Sequence, residues 1–93
     1  MNANTTFTTE NAERYLGTLC KHFGHKIPAK FANGTGHIEF PFGTCELSAD
    51  PIGLSLHATA DNRPDLDRVV QVVTSHLERF AFRENPQIQW AFQ

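Results

Sequence analysis

From residue 27 to residue 59 the apolar residues repeat with a period of two through four successive runs. On either side they repeat with a period near 3.6. This switch of period constrains the fold most. A period of two builds strands with one apolar face, and 3.6 builds helices with one apolar stripe. In the first run Ile27, Ala29 and Phe31 alternate with Lys26, Pro28 and Lys30. In the second, Ile38 and Phe40 alternate with His37 and Glu39. In the third, Cys45, Leu47 and Ala49 alternate with Glu46 and Ser48. In the fourth, Leu54, Leu56 and Ala58 alternate with Ser55, His57 and Thr59. Turn chemistry separates the runs: Asn33-Gly34, Pro41-Phe42-Gly43, and Asp50 to Gly53.

Before these strands, Ala12, Tyr15, Leu16, Leu19, Cys20 and Phe23 fall on one stripe, predicting a helix over Thr9–Phe23. Thr8 or Thr9 would cap it, and Gly24 would end it with a left-handed residue. After the strands, Asp61 or Asn62 would cap a second helix with Pro64 in its first turn. Its stripe is Leu66, Val69, Val70, Val73, Leu77 and Phe80. Ile88, Trp90 and Phe92 then alternate with glutamines as a last strand. The expected fold is α+β: a two-layer sandwich of element order α-β-β-β-β-α-β. Its five-stranded antiparallel sheet would run 5-1-2-3-4, with both helices on one face. Pairing the last strand beside the fourth is less favoured, because the second helix would then have little sheet to cross. Residues 1–93 form a single domain, with 1–7 expected as a disordered tail.

Composition narrows the function classes. The formal net charge of −2 supplies no basic surface for nucleic acid or anionic membrane. No apolar run approaches the ~20 residues that span a bilayer. The N-terminus lacks the basic and apolar regions of a signal peptide, so a cytoplasmic location with reduced Cys20 and Cys45 is expected. No Gly-x-Ser-x-Gly elbow, phosphate loop or Cys-x-x-Cys pair is present, so nucleophilic catalysis finds no support.

Three groups of residues are candidates for a site. The heptapeptide Cys20–Lys26, CKHFGHK, holds two histidines. Helix phase turns Cys20 and Phe23 inward and His22 outward, leaving His22 and His25 as the available ligands. His57 and Asp61 would complete a metal site at the same edge, of a type suited to iron or zinc. On the open face of the sheet, Glu39, Glu46 and His57 would form a transverse row flanked by Lys30 and His37. Glu39 directly opposite Glu46 would be unfavourable unless something lay between them. The row would serve as a ligand or partner surface, including a homodimer contact. Third, His76, Arg79 and Arg83 are spaced by three and four at the end of the second helix and would clamp a carboxylate or phosphate. This cluster is expected at the opposite end of the helix pair from His22 and His25.

The stretches RYLGTLCKHFGHKIP, GHIEFPFGTCELSAD and HLERFAFRENPQIQW, in this order, resemble the bacterial family called domain of unknown function 2218, DUF2218. The resemblance runs from about Thr8 to Trp90. It implies no established activity, catalytic residue or cofactor. It does imply a cellular context of iron acquisition, with siderophore-interacting flavin reductases or other iron-uptake proteins as partners. The expected function is therefore a small accessory or binding protein linked to iron–siderophore utilisation. The alternative is a small metal- or ligand-dependent enzyme using His22, His25 and His57.

Overall fold

The computed structural model describes residues 1–93. In chain order its elements are β1 (Asn2–Thr8), α1 (Ala12–Gly24), β2 (Ala29–Ala32), β3 (Thr35–Phe40), β4 (Gly43–Ala49), β5 (Gly53–Thr59), α2 (Arg63–Phe80) and β6 (Ala91–Phe92). A short 3-10 turn, Phe82–Glu84, follows α2. The six strands form one antiparallel sheet in the order β2-β3-β4-β5-β1-β6. Both helices lie on the face carrying Ile38, Cys45, Leu47, Leu54, Leu56 and Ala58, all of them buried. Leu16, Leu19 and Cys20 from α1 and Leu66, Val69, Val73 and Leu77 from α2 close the core. Each of these larger aliphatic side chains contributes roughly 1.5–3 kcal/mol by leaving water.

The α+β sandwich and its four central strands match the expectation, with several corrections of detail. Residues 2–8 are not a tail but β1, which pairs with the whole of β5 from Asn2↔Thr59 to Thr8↔Gly53. Its composition, NANTTFT, hides its role: threonine suits a strand, but only Ala3, Thr5 and Phe7 turn inward. Thr5 donates to the carbonyl of Gln89 at 2.6 Å, so its buried hydroxyl is satisfied. The sheet therefore has six strands rather than five. Its last strand lies beside β1 rather than beside β2. β1 occupies the place next to β5, which gives α2 a strand to cross and removes the objection to that side.

The final strand is also shorter than its alternation suggests, because only Ala91 and Phe92 pair. Trp90 instead donates its indole N–H to Thr74 on α2 at 2.7 Å.

The helix ends differ in a similar way. α1 starts at Ala12 after Asn11, which makes no side-chain cap; Thr9 accepts from the Asn11 amide at 3.0 Å. Gly24 stays within the helix, and His25 follows with right-handed angles (φ −69°, ψ −22°). At α2 the Asn62 cap is as expected, accepting from the Asp65 amide at 2.9 Å, with Pro64 in the first turn. Asn33 (φ 54°) and Gly34 (φ 79°) take the left-handed angles that a two-residue hairpin turn requires.

Candidate functional site

α1 and α2 run antiparallel across the sheet, and their relative offset builds the site. Thr9, Asn11 and Tyr15 at the start of α1 all donate to the Glu84 carboxylate just beyond the end of α2. α1 has 13 residues and α2 has 18, so they span about 20 and 27 Å. Once their far ends are tied, α1 runs out first. His22 therefore meets the middle of the last turns of α2: its ring centroid lies 4.7 Å from that of His76 and 5.6 Å from that of Phe80. The expectation that His76 and Arg79 sit far from His22 is thus corrected. It assumed that the helices were aligned end to end.

At the end of α1 a cleft of about 530 Å³ opens against α2 at Val72 and His76. Its apolar wall is Phe23, Ile27, Phe40, Phe42 and Val72; its polar wall is His22, His25, Lys26 and His76. Aromatic rings pack around it. Phe23 meets Phe40 edge-on at 5.1 Å and His76 at 4.7 Å, and Phe40 stacks on Phe42 at 5.3 Å. Phe42 sits in the two-residue turn between β3 and β4, and the Arg68 guanidinium lies 4.1 Å over its ring. An apolar residue in a turn has no place in the core alternation. That was the sequence signal for this wall.

The charge of the cleft has one sign. No aspartate or glutamate lines it. Burial against the rings pushes the pKa of His22 below its ordinary value, and the charges of His76, Arg79, His25 and Lys26 push it the same way. His76 Nδ1 donates to the Val72 carbonyl at 2.7 Å. In the neutral ring this leaves Nε2 with its lone pair free.

The other expected groupings separate. No three His, Cys, Asp or Glu side chains gather closely enough to hold a metal ion. His57 alternates with buried Leu56 and Ala58, so it faces away from the helices, whereas His22 lies on the helix side. Asp61 lies with Asp65 on the far side of the Phe42 turn. The proposed set of His22, His25, His57 and Asp61 is therefore split across two faces. The clamp of His76, Arg79 and Arg83 is interrupted as well. α2 ends at Phe80, and Arg83 belongs to the 3-10 turn, 5.7 Å from the Phe82 ring.

On the open face the cross-strand row is Lys30↔His37↔Glu46↔His57↔Asn4. Glu39 pairs with Thr44 rather than Glu46, because β3 and β4 turn through Pro41-Phe42 with Phe40 opposite Gly43. His37 stands between the two carboxylates, with Nδ1 at 2.5 Å from Glu46 and Nε2 at 3.4 Å from Glu39. The group expected between the glutamates is thus supplied by the chain itself. Cys20 and Cys45 are free, buried thiols; burial pushes Cys20 up and Cys45 up to about 12. Neither is a reactive thiolate at neutral pH.

No helix is long and apolar enough to cross a membrane. Among solved structures, the chain is similar to the NMR structure of PA4090 from Pseudomonas aeruginosa. The identity is 33%, with a TM-score of 0.83, over 97% of this chain and 94% of that one. No curated protein matches it. A family model described as "Uncharacterized protein conserved in bacteria (DUF2218)" matches residues 4–91. This nearly complete match and the shared sandwich agree: the chain belongs to the bacterial family DUF2218.

Proposed function

We propose that the protein is a non-enzymatic binding module and that its site is the cleft between α1, α2 and the β3–β4 turn. One observation carries this reading. An opening of about 530 Å³ joins an aromatic and aliphatic wall to a cluster of histidines and a lysine. That volume and mixture suit a small organic ligand with an apolar body. The clustered histidines lack both a nucleophile and a convergent metal set, so the arrangement supports binding rather than turnover. The iron–siderophore context, with a siderophore-interacting flavin reductase or another iron-uptake protein as partner, belongs to the same proposal and rests only on what the family resemblance implies. A partner or a second copy meeting the polar open face at Lys30, His37, Glu39, Glu46 and His57 would leave the cleft free.

The test is a titration with 8-anilinonaphthalene-1-sulfonate followed by amide NMR shifts. Shifts confined to Phe23, Ile27, Phe42, Val72 and His76, and lost in Val72→Glu, are the expected result. Shifts that are absent, or that centre on the open sheet face, overturn the proposal.

A further inference from the structure

We infer that the ligand of this cleft is an aromatic acid, a flat ring bearing one anionic group, and that His22 takes up a proton when it binds. The inference deepens the proposed binding function and rests on it. The ring half of the ligand follows from the walls. Phe23, Phe40 and Phe42 present ring edges and faces around a gap wide enough for a bicyclic body.

The anionic half follows from what faces His22. From α1 and the turn after it come Lys21, His25 and Lys26, and from α2 come His76 and Arg79. The β3–β4 turn adds only Phe40, Pro41 and Phe42 to the lining. Lys26 lines the cleft and Arg79 lies near His22 on α2, and no carboxylate of this chain lines the cleft to answer them. By contrast, Arg63 and Arg68 elsewhere on α2 do have aspartate neighbours. One feature opposes an anion: the negative end of the α1 dipole, worth about half a charge, points the same way. Its Phe23 carbonyl already accepts from the amides of Lys26 and Ile27. Two full cations outweigh what remains of it.

The same crowding explains the proton. Ring contact and neighbouring positive charge disfavour a proton on His22. An anion seated among these groups reverses that balance. One proton then passes from solvent to the imidazole, and no other bond changes. His76 is less suited to the role, since its Nδ1 proton is already committed to the Val72 carbonyl.

The experiment compares 2-naphthoate with neutral 2-naphthamide by calorimetry and amide NMR. Naphthoate should bind at least several-fold more tightly. Above about pH 6.5 its apparent Kd should rise up to tenfold per pH unit, the linkage slope of one proton. Its heat should also vary with the ionisation enthalpy of the buffer. Naphthamide should show neither dependence. His22→Gln should abolish the pH slope and the buffer dependence of naphthoate binding. Equal affinity for the two probes at the cleft residues would overturn the inference and leave the binding function standing. Failure of both probes to shift those residues would overturn both. A slope that survives His22→Gln and vanishes in His76→Gln would overturn the assignment to His22.

Discussion

The two ends of the α1–α2 seam use similar materials to opposite effect. At one end three donors, Thr9, Asn11 and Tyr15, converge on the single Glu84 carboxylate, whose pKa their hydrogen bonds hold below the usual range. At the other end His22, His25, Lys26, His76 and Arg79 gather around aromatic rings with no acceptor of charge among them. The first end is complete and acts as a tie. The second has positive and aromatic groups but no carboxylate in its lining, and it lies open. The tie also creates the opening. Fixing Glu84 to the start of α1 sets the offset that leaves part of α2 uncovered.

The comparison can be broken or sharpened by substitution. Leu77 is fully buried on α2 between the two ends. Leu77→Ala should cost about 2–5 kcal/mol in urea unfolding and loosen both ends together. Gly43→Ala should act mainly on the cleft. An added Cβ would lie 2.5 Å from the Thr59 carbonyl oxygen and 2.8 Å from Val69 Cγ2, so the Phe42 turn must shift, at about 1–3 kcal/mol. Amide shifts that change at the cleft and not around Glu84 would show that the two ends are independent.

Glu84→Gln should cost about 1 kcal/mol, since hydrogen bonds to an exposed carboxylate are discounted by solvent. It should also change the acid limb of the stability curve. Because the folded pKa of Glu84 is depressed, its contribution is present above the unfolded carboxylate value and lost as pH falls through the folded one. Wild-type stability should therefore decline below about pH 4.3, and Glu84→Gln should lack that part of the decline. A wild-type protein with the same acid limb as the variant would remove the tie from the account.

The smallest effect belongs to His22→Gln. The folded pKa of His22 is also lowered, so the unfolded chain binds the proton more readily. Wild-type stability should fall as pH drops below about 6.5, by tenths of a kcal/mol, and the variant should lack that part of the fall. Urea midpoints at pH 7.5 and 5.5 measure the difference. The two ends would then titrate in separate windows, His22 above Glu84.

Part of this was legible in the residues. Alternation placed the four central strands and the 3.6 stripes placed both helices, because each pattern records which side chains leave water. Asn62 and Asn33-Gly34 were legible for a local reason: a cap and a tight turn depend on the angles and groups of two or three neighbours. β1 was not legible, because its stabilisation comes from pairing with β5 some fifty residues away rather than from an apolar pattern of its own. The same distance explains the site residues. Spacing turned His22 outward and grouped His76 with Arg79 at the end of the second helix, but nothing within either helix states how far one is slid along the other.

The amino-acid sequence by itself therefore determined the layers, the family and the histidine-rich character of one edge, since these depend on period and local chemistry. Only the tertiary structure decided that the last strand lies beside β1, that His57 faces away from His22, and that His22 meets His76. Those outcomes depend on which strand pairs with β5 and on the Glu84 tie that sets the helix offset, both long-range contacts that no single segment encodes.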